Sequence, residues 1–158
     1  MIKNIVKITA ILLLAFIQFA LLSKLSVFGA FPNLVYILAI TLLLRGLLAD
    51  SFLVAAIGGV VLDLGSSLRF GYYTFLLIVI LLLVRLLILK FLPTPNLFIS
   101  FFIFFGAFLF ADLGISLFTF SWPGWSLLLD AIVNGLWGVF IYWIFSKLIR
   151  VENKIKVI

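Results

Sequence analysis

Neither cysteine nor histidine occurs among the 158 residues. Disulfides, thiol chemistry and metal sites built from Cys and His are therefore excluded. Charge is scarce too: Asp, Glu, Lys and Arg together make up 10% of the chain. There is no glycine-rich phosphate loop and no serine–base arrangement. No internal repeat, low-complexity tail or interdomain linker is visible, and the polar stretches are too short for a catalytic domain. The net charge of +6 does not come from a basic patch with interleaved polar residues, so nucleic acid is not expected as a partner.

Hydrocarbon fills the sequence instead. Hydrophobic residues make up 67% of it and the mean hydropathy is +1.48. Apolar runs long enough to cross a bilayer recur along the length. Only helices and closed barrels satisfy their backbone in lipid. Segments such as "FLLIVILLLVRLLIL" lack the two-residue alternation of barrel strands. The expected fold is thus all-α, a single integral membrane domain with six spans at about 5–22, 33–48, 51–64, 71–91, 97–119 and 126–149. Pro32 suits a helix start, while "PTPN" and "SWPGW" break the chain. The first span is read as retained rather than cleaved, because "VFGA" puts Phe28 where a signal cleavage site needs a small residue.

The cations give an orientation. With a cytoplasmic N-terminus the inner side holds nine of them: Lys3, Lys7, Arg45, Arg85, Lys90, Lys147, Arg150, Lys154 and Lys156. The outer side holds two, Lys24 and Arg69. This asymmetry places both termini inside, and an odd number of spans would spoil it. Trp122 and Trp125 then fall at the outer interface and Trp143 near the inner one.

A charge at mid-bilayer costs at least about 2.5–3.5 kcal/mol, so each needs a reason. Asp63 lies thirteen positions beyond Asp50, about 20 Å across the membrane at ~1.5 Å per residue. Asp112 lies sixteen positions beyond Asn96, about 24 Å by the same measure. With Asp130 at the start of the sixth span, an outer polar cluster is expected from Asp63, Asp112, Asp130, Arg69 and Lys24. Asp63 is expected to be shielded from lipid and hydrogen-bonded or ion-paired, with Arg69 or Lys24 as candidate partners. Asp50 and Asp130, at helix ends, also suit caps, and Asp50 shares the inner half with Arg45 and Arg85.

Ser51, Ala55, Gly59 and Asp63 follow at four-residue spacing and share one helix face. Such a small-residue face either packs internally or docks a foreign helix. Gly65, Ser66, Ser67 and Gly71 then suit a tight turn. Asp130, Asn134, Gly138 and Tyr142 form a second polar stripe. Asp63 and Asp112 could formally act as an acid–base pair, but nothing accompanies them, so neither an enzyme nor a cofactor is expected.

"FPNLVYI", "GVVLD" and "LGSSLRFG" carry a resemblance to the MreD family of bacterial rod-shape-determining membrane proteins. The matching residues are Pro32, Gly59, Asp63 and Gly71, over roughly residues 31–89, and Arg69 departs from the pattern. The resemblance implies a non-enzymatic scaffold of the cell-elongation machinery in the bacterial plasma membrane. It also implies an MreC-like single-span partner, an MreB-like filament and peptidoglycan synthases. Helix-packing or partner-binding residues would be Ser51, Ala55, Gly59, Asp63 and Gly71. The competing class is the substrate-binding membrane subunit of an energy-coupling-factor transporter, with the outer carboxylates binding a cationic ligand. Ala10, Ala15 and Ala20, at five-residue rather than four-residue spacing, count against that class.

The charge asymmetry predicts that a fluorescent protein fused to the C-terminus matures in the cytoplasm. Alkaline phosphatase inserted at Gly124 is expected to be active outside. A C-terminal phosphatase fusion active in the periplasm would overturn the orientation.

Overall fold

The computed structural model describes residues 2–20, 31–91, 96–122 and 124–148. Among these, six helices form and no strand: α1 Ile2–Ala20, α2 Leu34–Leu44, α3 Leu48–Gly65, α4 Tyr72–Phe91, α5 Leu97–Thr119 and α6 Ser126–Leu148. Four of them, α3 to α6, are long and apolar enough to cross a membrane. The apolar stretch of α1, Ile5–Gln18, and the whole of α2 are shorter.

Each boundary has a local cause. The side-chain oxygen of Asn33 accepts from the Tyr36 N–H at 3.3 Å and caps α2. Asn96 caps α5 in the same way, through the Ile99 N–H at 2.8 Å. α2 ends at Leu44, four residues earlier than the hydropathy suggests. Gly46 adopts φ +77°, its N–H reaches the Leu43 carbonyl, and the Leu47 N–H reaches back to Leu42. This is a Schellman closure, which hydropathy does not register. α3 therefore begins at Leu48, not at 51.

α2 has 11 residues, so it is about 16 Å long, half of a ~30 Å hydrocarbon layer. Nine of its residues are buried. It runs through the middle of the molecule, packed against α1, α3, α4 and α6. A helix that is apolar on every side has no solvent face to offer and belongs in such a position. α5 packs mainly on α6, and α3 links α1 and α2 to α4. Phe104 of α5 is fully buried, and its ring lies where a Cβ on Gly138 of α6 would sit.

The small-residue face of α3 lies inside this packing. The Ser51 hydroxyl donates to the Ala39 carbonyl of α2 at 2.8 Å. Ala55 is fully buried, and a Cβ on Gly58 would meet Val35 of α2. A Cβ on Gly59 would lie 2.8 Å from the Thr74 Cα of α4. Of the two uses open to this face, internal packing occupies it, and a partner helix has no access. Gly71 differs from the other four residues. Nothing lies within 4 Å of a Cβ built there, and its φ of +92° makes it the turn residue that opens α4 rather than a packing contact.

At the far end of the bundle from Asp63, Lys7 of α1 pairs with Asp50 of α3 at 2.6 Å. Both residues are partly exposed, so the pair contributes little energy and mainly sets the two helix starts side by side.

Gly59→Ala is expected to destabilise the protein by about 1–3 kcal/mol, because the methyl meets backbone that cannot step aside. Gly106→Ala in α5, where nothing lies within 4 Å, should be neutral or stabilising by up to about 1 kcal/mol. Thermal unfolding of both variants in detergent checks the contrast.

Candidate functional site: the polar end of the bundle

Asp63 stands near the C-terminus of α3, where the helix dipole disfavours a carboxylate. It is nonetheless 97% buried, with 3% of its surface exposed. Its partners come from the next helix. Oδ1 accepts the Tyr73 N–H at 2.7 Å, and Oδ2 accepts the Thr74 N–H at 3.2 Å and the Thr74 hydroxyl at 2.6 Å. Gly71, at the start of α4, has no side chain with which to cap it. Asp63 supplies that cap from α3 and satisfies donors that α4 cannot satisfy itself. Gly59, one turn earlier on the same face, lets α4 come close enough for this.

The expected ion pair between Asp63 and Arg69 does not form. Arg69 instead lies over the Phe118 ring, 5.9 Å from its centroid. Two backbone N–H groups and a hydroxyl already satisfy both oxygens of Asp63, so a guanidinium would add desolvation cost for little gain. Lys24, the other candidate partner, lies outside the described residues.

A second network ties α1, α2 and α6 together. Gln18 Nε2 donates to Asn33 Oδ1 at 3.1 Å, and the Val35 N–H donates to Gln18 Oε1 at 3.1 Å. The Asn33 N–H donates to Asn134 Oδ1 at 2.7 Å, while Asn134 Nδ2 donates to the carbonyls of Phe31 and Asp130. Asn134 is buried, and two of its three hydrogen bonds close the entry of α2 while the third returns to its own helix. Gly138 and Tyr142, next on the stripe, face the core. Sequence reasoning had singled out Asn134 but missed Gln18, Asn33, Tyr73 and Thr74. Asn33 carried a readable signal, as a cap residue just after Pro32. Tyr73 contributes through its backbone, which no residue type announces, and Thr74 adds its hydroxyl to its backbone N–H.

Asp112 and Asp130 line cavities whose walls do not include Asp63. They project from α5 and α6 and line the same two adjoining cavities, of about 190 Å³ and about 220 Å³. The inner cavity also meets Tyr36, Tyr73 and Asn134, and the outer one reaches Trp122. The Phe31 N–H donates to the Asp130 carboxylate. Oδ2 of Asp112 is buried and has no hydrogen-bond partner among the described residues. The expected outer cluster is thus two units: a structural carboxylate at 63 and a cavity pair at 112 and 130. The pair can accept hydrogen bonds from a cation or an amine. Among the described residues, no three Asp, Glu, His or Cys side chains come together to hold a metal ion.

No protein-family model, curated protein or solved structure matches the chain.

Asp63→Ala should cost about 2–4 kcal/mol, since it removes a cap and leaves buried donors bare. Asp63→Asn keeps one acceptor and should cost less, about 1–2 kcal/mol. Melting of the two variants in detergent gives the order. Equal stability of Asp63→Ala and wild type would refute the capping role.

Proposed function

We propose that this protein is a multi-pass membrane scaffold of the bacterial cell-elongation machinery, similar to the MreD family. In this reading the chain crosses the plasma membrane six times, with the short α2 making its crossing inside the shelter of the other helices and both termini cytoplasmic. The protein organises peptidoglycan synthesis by holding an MreC-like single-span protein, and through it an MreB-like filament and the synthases. One observation carries the reading. The residues of the resemblance do architectural work: Asp63 is used up by the start of α4, Gly59 admits α4, and Gly71 turns the chain. A motif devoted to shaping a membrane body suits a protein whose task is to present a surface. Because the α3 face is occupied, the partner contact belongs on the outward faces of α4, α5 and α6.

A second reading is favoured by Oδ2 of Asp112, which has no hydrogen-bond partner among the described residues and lies at the shared cavity. It makes the protein the ligand-binding membrane subunit of a small-molecule transporter, taking an organic cation between Asp112 and Asp130.

One experiment separates the two. In a depletion strain, the scaffold reading expects wild-type protein to restore cell width and to co-purify with the MreC-like protein. The double variant Asp112→Asn/Asp130→Asn should do both equally well. Loss of cationic-nutrient uptake in the double variant, with unchanged cell width throughout, would instead support transport.

A further inference from the structure

A third cavity lies away from the polar end, between the outward sides of α4 and α5. Its volume is about 480 Å³, and it is lined only by apolar residues, among them Ile80, Leu83 and Leu87 of α4 and Phe98, Phe102 and Gly106 of α5. Nothing lies within 4 Å of a Cβ built on Gly106, so the floor of the groove is open. Leu83, Leu87, Phe98 and Phe102 are all exposed along it.

The dimensions select the occupant. From Phe98 to Phe110 the wall of α5 advances twelve positions, about 18 Å. That is close to one leaflet, half of a ~30 Å hydrocarbon layer. Over this length the groove has room for a single hydrocarbon chain lying between the two helices. Charge marks one end. Lys90 follows Leu87 by three positions, so it lies on the same face of α4, at the end of the groove where α5 begins. It is exposed, and its stem can run along the apolar wall while the ammonium reaches headgroup depth. Arg85 points to a different side of α4, more than a right angle away in helical register.

We propose that the α4–α5 groove is a binding site for one anionic phospholipid, with an acyl chain along Gly106 and the headgroup phosphate at Lys90. The site rests on neither the scaffold nor the transport reading, and a partner helix seated on the outward faces of α4 and α5 would compete for it. It requires only that the four long apolar helices lie in a bilayer.

The test uses the full chain in vesicles of equal phosphatidylglycerol and phosphatidylcholine with matched acyl chains. The protein is then extracted in mild detergent and weighed by native mass spectrometry. One retained phospholipid is expected, with phosphatidylglycerol preferred about fivefold, the factor expected from one lysine near the surface. Lys90→Gln should keep the lipid and level the preference. Gly106→Phe and Leu83→Trp fill the groove from opposite walls, and each should lose the lipid while retaining wild-type helicity. Should Gly106→Phe fail to fold, Leu83→Trp decides alone. Wild type without retained lipid, groove-filled variants that hold lipid as wild type does, or an unchanged preference in Lys90→Gln would each overturn the proposal. So would a lipid-free dimer abolished by Leu83→Trp, which would assign the groove to a second copy.

Discussion

The start of α4 presents backbone N–H groups that its own helix cannot use, and the carboxylate of Asp63 takes two of them. In water such groups would be hydrated at little cost. Inside a membrane body each unsatisfied donor costs several kcal/mol, so a partner must come from the protein. The partner comes from the preceding helix, and much follows from that choice. α3 and α4 must approach closely, so position 59 has no side chain. The connection must turn sharply, so Gly71 adopts positive φ. The charge must be fully engaged, so the Thr74 hydroxyl joins the two N–H groups. The carboxylate persists in so apolar a chain because it serves as a cap for the following helix.

The same constraint explains the central helix. α2 is too short to reach both faces of a bilayer, so its ends lie at depth and need protein partners. Asn33, Gln18 and Asn134 serve one end, and the Gly46 turn closes the other on its own carbonyls. A short helix is tolerable in the hydrocarbon zone only where protein surrounds it, and nine of its residues are buried. The bundle is thus built around a segment that could not span a membrane by itself.

Polar groups in this protein fall into two kinds. Asp63, Asn33 and Asn134 are satisfied and structural. Asp112 and Asp130 face cavities, and one oxygen of Asp112 has no partner among the described residues. Depth along the helices puts all three aspartates at one level. The three donors that hold Asp63 weaken any account in which Asp63 and Asp112 act together as an acid and a base.

The sequence by itself determined the all-helical membrane class, through apolar runs without alternation. It also marked the ends of α4, α5 and α6, because Pro, Asn and Gly punctuate the chain there and local chemistry sets a helix end. The shared face of Ser51, Ala55, Gly59 and Asp63 was legible from four-residue spacing alone. What covers that face was not, since small residues admit a foreign helix as readily as a neighbouring one. Only the tertiary structure decided that α2 and α4 cover it. The same holds for Asp63: a nearby arginine is visible in the sequence, whereas backbone donors ten and eleven residues away are not. They became available only when the turn at Gly71 brought the start of α4 back against the end of α3.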